Sequence, residues 1–125
     1  MAPANAVRAA MEGLAYQTRD GLGAMSGDAT GIFVGGGFAK NEVFGQILAD
    51  VTGLMVELAG VPEVTTVGTA VLAMVGAGIV GSVEEAWELV AMPTTTFEPT
   101  GSDAYEPLYA RHRNIVDALA ESASA

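Results

Sequence analysis

Cysteine is absent from this chain. That excludes disulfides, thiolate metal sites and a cysteine nucleophile, and it fits a reducing compartment. Basic residues are scarce. Arg8, Arg19, Lys40, Arg111 and Arg113 stand against 15 acidic residues, and the net charge is −10. Such a chain lacks the cations that neutralise nucleic-acid phosphates. It is equally unsuited to anionic membrane surfaces. Neither nucleic acid nor a membrane is expected as a partner. The first residues show no basic segment followed by an apolar core, so no secretory signal is expected and the location is expected to be cytoplasmic. The single histidine, His112, lies between Arg111 and Arg113 and reads as a surface or half-buried helix residue. Glu84, Glu85 and Glu88 have no histidine near them in sequence and read as a solvated helix face, so no metal site is expected. No nucleophile elbow is present.

What is present is light and apolar. Half of the 125 residues are apolar, 16% are charged and 16 are glycine. One domain with a packed core is expected, spanning residues 1–125, and not a disordered segment. The stretch that stands out is Val34-Gly-Gly-Gly-Phe-Ala-Lys-Asn41. The run Gly31-Ile-Phe-Val34 reads as a short buried strand. Glycines break it, and Asn41 opens a helical pattern with Val43, Phe44, Ile47, Leu48 and Val51 on one face. A strand, a glycine turn and a helix together make a place where bare backbone N–H groups and a helix N-terminus meet an anion. The run is not a P-loop, because Lys40 is followed by Asn41 and not by Ser or Thr. It is not the dinucleotide fingerprint, because Lys40 holds the third glycine position after Gly35 and Gly37. A ligand-free glycine turn is the competing reading, and these residues leave both open.

Elsewhere the spacing predicts a helix over Ala6 to Met25, with Val7, Met11, Leu14, Ala15, Thr18, Leu22 and Met25 at helical intervals. Gly21 and Gly23 weaken its last turn. Gly53 is placed to end the helix that Asn41 begins. Leu54 to Leu58 reads as a second strand, and Gly60-Val-Pro62 as the connection after it. Val64 to Val83 carries no charge and is long enough to span a bilayer. Thr65, Thr66 and the later glycines, acidic flanks and missing aromatic belts instead favour a helix buried in an α/β core. Ser82 and Glu85 have the spacing of a capping box for a helix from Val83 to Ala91, with Val83, Ala86, Trp87 and Val90 inward. Pro93 stops it. Thr94 to Pro99 is extended. A last helix runs from Asp103 to about Ala120, with Tyr105, Leu108, Tyr109, His112, Ile115, Val116 and Leu119 spaced for packing, and Glu121 to Ala125 is expected to fray. The order is that of an α/β protein with a small sheet. Only two strands are clear, and two strands are marginal alone, so the chain reads as part of a larger sheet.

In this order the motifs resemble one family. Arg8-Ala-Ala-Met-Glu-Gly-Leu-Ala-Tyr-Gln-Thr-Arg-Asp20, Val34-Gly-Gly-Gly-Phe-Ala-Lys-Asn41, Gln46-Ile-Leu-Ala-Asp-Val-Thr-Gly53 and Glu63-Val-Thr-Thr-Val-Gly-Thr-Ala70 resemble the C-terminal actin-like domain of the FGGY carbohydrate kinases. Ala77-Gly78, Ser82-Val-Glu-Glu85, Phe97-Glu-Pro99 and Tyr105-Glu-Pro-Leu-Tyr109 continue the resemblance, which covers almost the whole chain. Val67 and Thr69 depart from the usual leucine and alanine, and the loop from Met25 to Gly31 is short for the family.

The resemblance implies part of an actin-like (ribonuclease H-like) ATPase domain. It implies ATP and Mg²⁺ as cofactors and transfer of a phosphoryl group to a sugar hydroxyl. ATP would lie in a cleft between two domains. By position, Gly36 and Gly37 would offer backbone N–H groups to the α-phosphate side, Phe38 would lie beside them, and Asn41 would meet the adenosine portion. Asn41 is also a helix N-cap by residue type, and the two roles are compatible. The sugar pocket and the aspartate that takes the hydroxyl proton would lie in an N-terminal domain outside these residues, so no catalytic residue is expected in this chain. Asp20 and Asp50 lie in the matched helices and are not candidates for the base. The Gln46 to Gly53 stretch resembles xylulokinase-type members, which implies a ketopentose acceptor. A catalytically inactive stand-alone fragment is the alternative, binding nucleotide or associating with an N-terminal kinase domain or in a homo-oligomer.

Overall fold

A computed structural model describes residues 2–61, 63–90 and 92–123. Pro62 of the expected connection, Ala91 at the expected end of a helix, and Ser124 and Ala125 of the expected tail lie outside the described residues. The elements are α1 (Pro3–Ala24), β1 (Ile32–Val34), a 3-10 turn (Gly37–Lys40), α2 (Glu42–Thr52), β2 (Val56–Ala59), α3 (Val64–Gly76), α4 (Val83–Val90), β3 (Thr94–Phe97) and α5 (Ser102–Ala123).

The sheet has three strands in the order β1-β2-β3 among the described residues. β1 and β2 run parallel with Phe33 opposite Glu57. β3 runs antiparallel to β2 with Thr95 opposite Leu58. This corrects the two-strand reading. The extended segment after Pro93 is a true edge strand, although Thr94-Thr95-Thr96 shows no apolar alternation. Pairing with β2 makes it a strand, not its own pattern.

The core lies between the sheet and α2. Phe44, Ile47, Leu48 and Val51 of α2 are buried with Val56 and Leu58 of β2. Val43, expected on the same face, is 59% exposed. The helix can press close because it carries no side chain at Gly45. A Cβ there would meet two ring carbons of Phe97 at 2.9 Å and Leu58 Cδ1 at 3.0 Å. α1 packs on α2 and buries Ala15 and Tyr16. Pro3 sits at its first turn, where a missing N–H costs nothing. The helix runs through Gly21 and Gly23 to Ala24. Val7 and Met25, expected inward, are exposed, so the buried stripe of α1 is its middle.

The apolar run from Val64 to Val83 is not one helix. α3 ends at Gly76 in a Schellman motif: Gly78 is left-handed (φ 70°), its N–H donates to Val75 O, and the Ile79 N–H donates to Met74 O. Among the described residues no helix is long and apolar enough to cross a membrane. Nor is α3 a buried core helix, as expected above. Only Val71 of α3 is buried, and it packs with Val80 and Ala86 in a second small core shared with α4. Leu72, Ile79 and Leu89 are exposed, and Val83 and Trp87, expected inward on α4, are 44% and 41% exposed, which leaves Ala86 as the buried residue of that helix. High apolar content made α3 look buried, but nothing among the described residues covers its outer side.

Ser82 does cap α4, with its Oγ accepting the Glu85 N–H at 3.1 Å. Glu85 reaches back to the Gly81 N–H at 2.8 Å, one residue before the position a capping box uses. α5 stays helical to Ala123, beyond the expected fraying point, with Tyr105 buried and Ile115 and Leu119 exposed.

Candidate functional site

β1 delivers the chain into the glycine run at the edge of the sheet. The three glycines there answer three different demands. Gly35 is required by packing, because a Cβ would sit 2.9 Å from Val64 Cγ2 at the start of α3. Gly36 is required by backbone conformation, with φ 79° and ψ −152°, a region that L side chains rarely enter. Gly37 is subject to neither demand. Its φ is not positive, and a Cβ there would meet nothing within 4 Å. Open space above bare backbone at Gly36 and Gly37 is what a ligand approaching the turn requires.

The donors are also free. The 3-10 turn uses the N–H groups of Ala39, bonded to Gly36 O, and of Asn41, bonded to Phe38 O. The N–H groups of Gly36, Gly37 and Phe38 find no acceptor among the described residues. Consecutive unpaired N–H groups at a turn make an anion-binding concavity. The 3-10 turn separates the glycines from α2, and Glu42 stands in the first turn of that helix. The unpaired N–H groups of the glycine turn are thus set apart from the α2 N-terminus, where Glu42 brings a negative charge.

Phe38 is about half-exposed, and its ring leans on the buried Phe44 ring with centroids 4.9 Å apart. An exposed aromatic face beside free N–H groups suits a base or ribose next to a phosphate. Asn41 is half-buried and caps α2: its Oδ1 accepts the Phe44 N–H at 3.1 Å. Its Nδ2 donates to Met11 Sδ on α1 at 3.3 Å. The structure thus places Gly36, Gly37 and Phe38 in the turn and Asn41 at the cap of the helix that follows it. Lys40 is exposed beside them. Met11 was placed on the apolar stripe of α1, but nothing in the sequence said that it meets a residue 30 positions later.

The two aspartates set aside above have structural work. Asp50 Oδ1 accepts the N–H groups of Thr100 at 2.7 Å and Gly101 at 2.9 Å, just before α5. Gln46 donates to the same oxygen at 3.1 Å and to Glu98 O at 2.9 Å. These residues hold the loop between β3 and α5. Asp20 accepts the Tyr109 hydroxyl and pairs with Arg113 at 3.2 Å, joining α1 to α5. The Tyr109 hydrogen bond, opposed by partial burial and aided by the Arg113 charge, holds the Asp20 carboxyl below the usual carboxylate range. The same bond pushes the Tyr109 phenol up. Arg19 lies over the Tyr109 ring, 4.0 Å from its centroid, and bonds Glu106 and Val51 O. Among the described residues no group of three or more His, Asp or Glu side chains is placed to hold a metal ion.

Residues 1–77 match the description of the FGGY family of carbohydrate kinases, C-terminal domain. The glycerol kinase of Rhodospirillum rubrum is 46% identical over 79 residues, covering 60% of this chain and 16% of the relative. That of Ligilactobacillus salivarius is 41% identical over 118 residues, covering 90% of this chain and 23% of the relative. The solved structure of ligand-bound xylulose kinase from Lactobacillus acidophilus superposes with a TM-score of 0.77 at 20% identity, covering 90% of this chain and 24% of that one. The chain thus spans less than a quarter of each of these proteins. The three-stranded sheet and its helices are a fragment of the actin-like fold of those kinases.

Proposed function

This chain belongs to the FGGY family of carbohydrate kinases, through its C-terminal domain, and on that premise we propose that it supplies the nucleotide-binding part of an ATP-dependent kinase. The observation that carries the reading is the glycine turn, with unpaired N–H groups and open space over Gly36 and Gly37. In this reading those N–H groups hold the α-phosphate side of ATP. Phe38 covers the adjoining part of the nucleotide, and Asn41 donates to the adenosine portion. Mg²⁺ carried on the phosphates would offset their charge, which a chain of net charge −10 does little to offset. When bound, ATP supplies the phosphoryl group that a carbohydrate hydroxyl accepts. This chain's own residues bind and orient the nucleotide. The base and the acceptor pocket belong to the remainder of the kinase, across a cleft whose closure excludes water. The location that goes with this reading is the cytoplasm.

The acceptor is a polyol or sugar. The relatives above are named for glycerol and for xylulose. The ketopentose expectation drew on the Gln46 to Gly53 stretch, but Gln46 and Asp50 there hold the loop before α5. Their identity therefore carries little weight on the acceptor, and glycerol and a ketopentose both go into the test. That test is saturable ATP binding by this chain, followed by ADP release with each acceptor when the chain is joined to the rest of its kinase. A well-folded chain that binds no ATP would overturn the nucleotide role.

One observation favours the second reading, a catalytically inactive association module. Leu72, Ile79, Trp87 and Leu89 leave apolar surface open on α3, α4 and their connection. An N-terminal kinase domain or a second copy would cover it. Sedimentation of the isolated chain separates the two: a monomer at high concentration excludes the homo-oligomer.

A further inference from the structure

We infer that Met11 is a positioning residue of the nucleotide site: its sulfur holds the Asn41 side-chain amide in the orientation that nucleotide binding uses. The inference rests on the proposed role of Asn41, and it adds a residue from a different element to that site.

Which end of the Asn41 amide is oxygen is settled by its neighbours and not by its shape. The Phe44 N–H points at one end at 3.1 Å, and only the oxygen accepts it. The amide nitrogen therefore faces α1, where Met11 Sδ lies at 3.3 Å. A primary amide has two N–H donors and two oxygen lone pairs. One donor is spent on Met11 and one lone pair on Phe44. One donor and one lone pair remain without partners among the described residues. The amide plane is thus fixed at both ends while half of its hydrogen-bonding capacity stays available. Without the sulfur, only the Phe44 bond holds it, and rotation about the side-chain torsion becomes easier.

Met11 is suited to this work because it is itself held. It is half-buried on α1, in the part of that helix that packs against the core around Phe44 and Ile47. A leucine in its place keeps nearly the same volume and costs little in packing. It removes the acceptor alone. Glutamine restores an acceptor at similar reach.

The experiment compares the parent chain with Met11→Leu and Met11→Gln, titrating ATP and, separately, inorganic tripolyphosphate, which lacks the nucleoside. The amide resonances of Asn41 are followed in isotope-labelled protein throughout. The expected result is ATP binding about threefold to tenfold weaker in Met11→Leu, the loss of one modest hydrogen bond's worth of orientation. Tripolyphosphate binding stays unchanged, and Met11→Gln recovers ATP binding. Met11→Leu binding ATP as tightly as the parent would overturn the inference. So would an equal loss for ATP and tripolyphosphate, because that is the mark of a general structural role. If the parent binds neither ligand, the nucleotide reading of this chain fails, and the resonances decide the positioning question separately. Asn41 side-chain signals that shift in Met11→Leu and return in Met11→Gln support the Met11 contact, and unchanged signals in Met11→Leu refute it.

Discussion

Replacing Asp50 by alanine should cost stability and leave nucleotide binding alone. One oxygen of Asp50 accepts the Thr100 N–H at 2.7 Å and the Gly101 N–H at 2.9 Å, with Gln46 Nε2 at 3.1 Å. These N–H groups precede α5 and have no helical partner of their own. A hydrogen bond to a charged acceptor contributes about 1.5–3 kcal/mol where water is excluded. Gly101 is half-buried, so its bond should sit near the lower bound. Thr100 is exposed, and water replaces most of what it loses. The sum is about 2 kcal/mol, which for a domain of this size lowers Tm by roughly 6–10 °C. Asp50→Asn keeps the oxygen and loses the charge, and should fall about half as far. The assay is thermal unfolding followed by far-ultraviolet circular dichroism, with ATP titrations well below the midpoint. A Tm for Asp50→Ala within a degree or so of the parent would refute the reasoning, and an Asp50→Ala chain that is folded but blind to ATP would move Asp50 into the ligand site.

Gly45→Ala gains about 1 kcal/mol in helix propensity. It places a Cβ 2.9 Å from the Phe97 ring and 3.0 Å from Leu58. Overpacking of that kind costs about 1–3 kcal/mol, so the variant should be less stable in denaturant melts. Gly68→Ala, in α3, meets nothing within 4 Å and should be more stable by about 1 kcal/mol; equal gains in both would sink the close-packing account. Tyr109→Phe removes the hydroxyl that Asp20 accepts and should cost about 1–2 kcal/mol at neutral pH. Because Asp20 is held below the usual carboxylate range, its contribution is present above that range and is lost as pH falls through its depressed value. The gap between parent and Tyr109→Phe should therefore close on strong acidification. It should also close at alkaline pH, as the parent's raised Tyr109 phenol ionises. A gap independent of pH would contradict the pairing.

The parts of this chain that local pattern controls were legible in the sequence. The glycine turn, the Asn41 cap, α2 and the left-handed Gly53 that ends it each follow from a few neighbouring residues, and each forms as read. β1 forms in the expected place but is not the buried strand expected, because it lies at the sheet edge with Phe33 exposed and Ile32 and Val34 half-buried. β3 was not legible, because three threonines become a strand only when β2 supplies the partner. The length and exposure of α3 were misjudged for a related reason. Apolar composition says that a surface wants covering, not that this chain contains the cover, and Gly78 ends the helix where hydropathy alone would continue it. At the candidate site the sequence named Gly36, Gly37, Phe38 and Asn41, which fall in the glycine turn and at the cap of α2 that follows it. It could not name Met11, whose contact with Asn41 is made by the packing of α1 on α2. Nor could it separate the reasons for the three glycines, since a side-chain clash at Gly35, a positive φ at Gly36 and open space at Gly37 look alike as letters.

Gly37 allows the most direct test of the central claim, because its φ is not positive and a Cβ there meets nothing within 4 Å. Calorimetric titration of ATP into the parent and into Gly37→Val should show saturable binding in the parent and its loss in the variant, with both proteins melting at similar temperatures. A folded parent without binding, or a Gly37→Val chain that binds ATP as the parent does, would contradict the claim that this glycine turn holds the nucleotide.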